Sequence, residues 1–116
     1  MEKLISDLQN LGCDMEGAME RFLDDEEFYV ECYEKVINDA GFWELKDALE
    51  EHDVKKSFEC AHTLKGVIAN MGLTSLYEIM TEMVEVLRKG KEDGVLEKYN
   101  KLMEERKKYP QNAIKR

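Results

Sequence analysis

Asp53-Val54-Lys55-Lys56-Ser57-Phe58-Glu59-Cys60-Ala61-His62-Thr63-Leu64-Lys65-Gly66-Val67-Ile68-Ala69-Asn70-Met71 is the stretch that decides how this chain folds. At about 100° per residue, Val54, Ser57, Ala61, Leu64, Ile68 and Met71 fall on one side of a helix. Asp53 stands where a carboxylate caps a first turn, and Met71-Gly72 ends the pattern. His62 falls roughly 130° from the centre of the apolar arc, on the flank or the solvent side. Its neighbours at i−4, i+3, i+4 and i+7 are Phe58, Lys65, Gly66 and Ala69.

Working outward, the same period continues in both directions. Thr74 opens a further helix with Leu76, Tyr77, Met80, Met83, Val84 and Leu87 as its stripe, closed by Arg88, Lys89 and Gly90. A last helix, about Asp93 to Tyr109, carries Val95, Leu96, Tyr99, Leu102 and Met103, and Pro110 is its expected stop. Upstream, Phe42, Leu45, Ala48 and Leu49 mark a helix from Phe42 to Glu51. Before it, Asp24 or Asp25 caps a helix to about Asn38, with Phe28, Tyr29, Cys32, Tyr33 and Val36 facing inward. Whether Gly41 breaks or only bends the chain between these two is open. Two short helices lead in. One, roughly 2–11, uses Leu4, Ile5, Leu8 and Leu11, with Gly12 as stop. The other is capped by Asp14, carries Glu16 in its first turn and uses Met15, Ala18, Met19 and Phe22. Gly17 stands where a capping box would need Glu or Gln.

Strand alternation appears nowhere in the sequence. The connections are short, so neighbouring helices should run antiparallel. The expectation is an all-α protein: an up-and-down antiparallel four-helix bundle with short additional N-terminal helices. A single domain is expected over 1–116, with short helices at about 2–22, the bundle at about 25–109 and a short tail at 110–116.

Composition agrees. A chain of 116 residues with 43% hydrophobic residues, one proline and seven glycines suits one helical domain with a small core. Lys plus Arg number 17 against 26 Asp plus Glu, a net charge of −9. That balance argues against nucleic acid as a partner. Arg106-Lys107-Lys108 and Lys115-Arg116 read as a solvated basic tail. No run of about 18 apolar residues predicts a membrane span. Met1-Glu2-Lys3 opens no apolar run, so no signal peptide is expected. The three cysteines, Cys13, Cys32 and Cys60, follow no metal-ligand spacing and read as reduced thiols of a cytoplasmic protein.

The chemistry points to His62. A glycine inside a helix costs about 1 kcal/mol relative to alanine. Gly66 caps nothing, because the helix continues past it. Clearance is the simplest reason for it: something large must reach the imidazole, and Ala69 widens the gap. Lys65, one turn away, places a point charge suited to phosphate. A neutral imidazole is a competent nucleophile near neutral pH. His52, in Glu51-His52-Asp53, reads as an exposed loop residue. Glu78, Glu82 and Glu85 read as a solvated acidic ridge, and Met80, Met83 and Met103 as packing. No metal or cofactor is expected.

His62-Thr63-Leu64-Lys65-Gly66 resembles the H-x-L-K-G signature of histidine phosphotransfer (HPt) domains. The resemblance spans about residues 12–108. It includes Asp14-Met15-Glu16 through Arg21-Phe22, then Leu45, Ala48, Leu49, Asp53, Ala61, Asn70-Met71-Gly72, Leu76 and Arg88. It implies a phosphorelay carrier without kinase activity of its own. His62 would accept a phosphoryl group on Nε2 from a receiver phosphoaspartate and pass it to a second receiver. Lys65 and Arg88 would stabilise the phosphate. Gly66, Ala69, Phe58, Lys55 and Glu59 would form the access and docking surface. The implied partners are response-regulator receiver domains and a hybrid histidine kinase, with the carrier itself a monomer. Magnesium in such transfers is held by the receiver.

Two positions depart from the family pattern. Val84 stands where many members carry Gln or Glu to hydrogen-bond the imidazole, which leaves the ring orientation of His62 open. Val67 replaces a small polar residue. Two other readings compete with this one. A helical module that binds receiver or kinase domains without being phosphorylated is opposed by intact His62, Lys65 and Gly66. A histidine-dependent enzyme is opposed by the lack of a partner acid, metal cluster or pocket-forming loop.

Overall fold

The computed structural model describes residues 2–111, and among them there are seven helices and no strand. In chain order these are α1 (Glu2–Asn10), α2 (Met15–Arg21), α3 (Glu26–Ile37), α4 (Gly41–Glu50), α5 (Val54–Asn70), α6 (Thr74–Arg88) and α7 (Val95–Arg106). Helix α5 packs on α4 and on α6, α6 packs on α7, and α7 returns to α4. Short connections make these neighbours antiparallel. The result is the expected all-α bundle with short helices added at its N-terminal end. No described helix is long and apolar enough to cross a membrane.

Aspartates start three of the helices. The carboxylate of Asp14 accepts from Gly17 N–H, that of Asp25 from Phe28 N–H and that of Asp53 from Lys56 N–H, each at 3.0 Å. Each satisfies a first-turn donor that has no partner inside its helix. Asp24 is not a cap: it and Leu23 form the turn, with φ of 60° and 54°. The chain breaks rather than bends before α4, because the Asp39 carboxylate takes the Gly41 N–H at 2.6 Å.

The core is built from the faces the period marks, with four corrections. In α3 the buried residues are Tyr29, Val30, Tyr33 and Ile37, while Phe28 is 52% exposed. Phe28 instead lies against Phe22, ring centroids 5.5 Å apart. In α6 Ile79 is buried and Tyr77 is exposed; in α7 Leu96 is exposed. The third correction concerns the end of α7. It stops at Arg106, before Pro110 can act, and Tyr109 is buried beyond the helix end. Pro110 and Gln111 are packed rather than free. The Pro110 carbonyl accepts from Tyr33 Oη at 2.7 Å, and Gln111 Nε2 donates to the Arg106 carbonyl at 2.9 Å.

The fourth correction is the basic cluster. Arg106 is half-buried, with its guanidinium 5.3 Å from the Phe42 ring centroid and 4.9 Å from that of Trp43. Its Nε donates to the Ile37 carbonyl at 2.9 Å, so it closes the α3–α4 break from α7. Lys107 and Lys108 pair with Glu104 and Glu105. Lys115 and Arg116 lie outside the described residues.

Buried tyrosines tie distant parts of the chain together, each hydroxyl finding a partner. Tyr29 Oη donates to the Met71 carbonyl and Tyr99 Oη to the Phe42 carbonyl, both at 2.7 Å. Tyr109 Oη and Ser75 Oγ share a 2.7 Å bond, and Cys13 Sγ lies 3.7 Å from the same oxygen. All three cysteines are free.

Candidate functional site

Helix α5 buries Ser57, Ala61, Leu64 and Ile68, which turns the stripe of Lys55, Phe58, Glu59, His62, Lys65, Gly66 and Ala69 away from the core. Lys55, Glu59, His62 and Gly66 are exposed, while Phe58, Lys65 and Ala69 are half-buried. The wheel reading of His62 therefore holds in three dimensions.

The imidazole of His62 makes no hydrogen bond or ion pair among the described residues. Its contact is with Phe58, one turn back: the two rings stack with centroids 5.6 Å apart and planes 29° apart. A Cβ built on Gly66 would meet nothing within 4 Å. Nothing inside the molecule thus demands a glycine there, and the space it leaves faces outward. Val84 is fully buried in the core and offers the ring no polar partner.

Two cations reach this face, and each rests on an aromatic ring. Lys65 Nζ lies 5.6 Å from the centroid of Tyr77 on α6. The Arg88 guanidinium, also from α6, lies 5.4 Å from the centroid of Phe58, and its Nε is 3.5 Å from Glu85 Oε1. Such contacts are worth about 0.5–1 kcal/mol at exposed sites, enough to bias a flexible side chain. Tyr77 escaped the sequence reading because its spacing matched the apolar stripe of α6. The signal that could have found it is register, since antiparallel α5 and α6 pair Phe58 with Arg88 and Lys65 with Tyr77.

The far end of α5 is held from the N-terminal helices. Arg21 Nε donates to the Asn70 carbonyl and Arg21 Nη2 to the Ala69 carbonyl, both at 3.1 Å. A cation at a helix C-terminus meets the negative end of its dipole. Beyond Ala69 the face opens into a shallow groove of about 200 Å³ between Ala69, Tyr77 and Arg21.

Other candidates stay apart from this face. His52 is exposed with φ 58°, and its Nδ1 lies 2.6 Å from Glu92 Oε1, joining the α4–α5 turn to the α6–α7 turn. Glu82 pairs with Lys98 across to α7. Cys60 lies on the other flank of α5, where burial pushes its thiol pKa up, helped by nearby Glu44. No group of three or more His, Cys, Asp or Glu side chains among the described residues is placed to hold a metal ion.

The site is thus an unbonded, exposed imidazole stacked on one ring, with a cleared turn after it and a cation on each side. Such a surface can present a nucleophilic nitrogen to a partner. Compared with protein-family models, residues 42–108 match the one described as Hpt domain. Comparison with curated proteins and with solved structures returned no match.

Proposed function

The chain belongs to the Hpt domain family, and on that premise we propose that it is a phosphocarrier with His62 as the phosphoacceptor. Hpt domains are phosphotransfer modules and carriers rather than kinases. The observation that carries the assignment to His62 is its imidazole: exposed, free of intramolecular hydrogen bonds, and followed by a glycine whose missing side chain nothing in the molecule fills.

The proposed step is an in-line exchange. The Nε2 lone pair of His62 attacks the phosphorus of a receiver's phosphoaspartate. The P–O bond to the aspartate breaks and the carboxylate leaves with the electron pair. Nδ1 keeps the imidazole proton throughout, so no base is required. Lys65 on one side of the ring, with Arg88 over Phe58 on the other, offsets the charge of the transferring group. The reverse exchange with a second receiver empties the carrier. The receiver docks over Phe58, Gly66 and Ala69, with Lys55 and Glu59 at the rim, and a hybrid histidine kinase stands upstream. We place the protein in the cytoplasm as a monomer; its free thiols support that compartment.

The test is phosphotransfer from a phosphorylated receiver to the wild type and to His62→Gln. Acid-labile, alkali-stable label on the wild type alone is expected. Label retained by the variant would move the site elsewhere. Receiver binding without label would favour a non-phosphorylated interaction module.

A further inference from the structure

We propose that Phe58 is the positioning residue for the His62 imidazole, doing by ring stacking what no hydrogen bond does in this chain. The inference rests on the phosphocarrier reading and deepens it. A nucleophilic imidazole must hold one nitrogen toward phosphorus, and orientation is a large part of what a carrier can contribute. Histidines with such a task usually have the second nitrogen held by a hydrogen bond. His62 has none among the described residues, and the core position Val84 on the facing helix cannot give one.

What the ring does have is Phe58. The two lie one helical turn apart, the spacing at which side chains on one face meet. Their planes are 29° apart at a centroid separation of 5.6 Å, an offset stack within the usual range. Phe58 is itself held. It is half-buried and packs on the core, and the Arg88 guanidinium from α6 lies 5.4 Å from its centroid. Arg88 in turn is tethered by Glu85 at 3.5 Å. The chain of support runs from α6 through Arg88 and Phe58 to the reactive ring. It gives Arg88 a second role besides charge.

Stacking restricts the ring plane but leaves both nitrogens free of protein partners. Nε2 stays open to phosphorus, and Nδ1 can keep its proton toward solvent. Without the stack, a helical histidine samples about two χ1 wells and about two χ2 orientations. The productive fraction then falls to about one quarter, and the transfer rate falls about fourfold with it.

The test separates orientation from receiver docking by using phosphoramidate as a small phosphodonor. There the P–N bond of the donor breaks, the P–Nε2 bond forms and ammonia leaves. Wild type, Phe58→Leu and Phe58→Tyr are compared for labelling rate and for the NMR shifts of the His62 ring protons. The expected result for Phe58→Leu is a labelling rate about fourfold lower, with ring-proton shifts moving toward those of free histidine. Phe58→Tyr restores both. Nuclear Overhauser contacts between the Phe58 and His62 ring protons are expected in the wild type, a reading that needs no variant to fold. Missing contacts, or unchanged rate and shifts in a folded Phe58→Leu, would overturn the positioning role while leaving His62 as acceptor. Absence of label on the wild type from every donor would instead overturn the phosphocarrier reading itself.

Discussion

The backbone N–H of Asp14 donates to the Gly72 carbonyl at 2.9 Å, and the Asp14 carbonyl oxygen lies 2.5 Å from where a Gly72 Cβ would stand. Gly72 also has φ +75°. The entry to α2 is therefore seated directly on the turn that ends the histidine helix. Substituting Gly72→Ala adds a left-handed penalty of about 1–2 kcal/mol to a clash with backbone that has no room to yield. A loss of about 3 kcal/mol is expected, read from urea denaturation midpoints at constant m. A loss below about 1 kcal/mol would show that the α2 entry can lift away from the turn.

Gly66 should behave in the opposite way. Its side-chain position is empty, so Gly66→Ala is expected to raise stability by about 1 kcal/mol through helix propensity alone. Gly66→Leu should also fold, yet lower transfer from a phosphorylated receiver by roughly tenfold or more, since displaced reacting atoms lose near-attack geometry. Undiminished transfer with Leu would remove the clearance argument. A destabilised Gly66→Ala would show that the glycine serves the helix.

Ser57 is 1% exposed on the core face of α5, and its Oγ has no protein partner among the described residues. A buried hydroxyl without a partner costs about 1–3 kcal/mol. Ser57→Ala is therefore expected to stabilise the protein by about 1 kcal/mol, measured by thermal or chemical unfolding. A decrease instead would show that the hydroxyl is satisfied in solution.

Burial raises the pKa of Tyr29, Tyr33 and Tyr109 well above the ordinary tyrosine value, with the nearby Cys13 thiol adding to the shift. Between the unfolded and folded values the native state binds more protons, so stability must fall as pH rises. This stability is fully present below about pH 10 and is lost as pH climbs from there toward the folded values. Each group contributes up to about 1.4 kcal/mol per pH unit in that window. Urea titrations at pH 8 and above pH 10 check it. Tyr29→Phe should flatten the slope, and an unchanged slope would exclude Tyr29 as one of its sources.

Much of the bundle could be read from the chain because its signals are local. Asp14, Asp25 and Asp53 cap through bonds to residues three positions on, and the buried face of α5 repeats at helical period. Phe28, Tyr77 and Leu96 misled for a related reason. Periodicity marks a side of a helix as apolar but does not say how far the neighbouring helix covers it, and each of these residues sits at the edge of that cover. Arg106 looked like part of a solvated tail because a charge run carries no sign of the rings it will meet. Pro110 looked like the stop of α7, whereas the chain turns out earlier and packs Tyr109 against Ser75 and Cys13.

The sequence alone determined the helical class, the helix starts at Asp14 and Asp53, and an exposed His62 with Lys65 and a cleared turn beside it. These follow from the 3.6-residue period and from caps that act over three or four residues. Only the tertiary structure decided that Arg88 lies over Phe58 beside His62, that Lys65 rests on Tyr77, and that Arg21 and Asp14 hold the end of α5. Those contacts depend on how side-chain ridges of separate helices interdigitate, which sets the register between residues far apart in the chain.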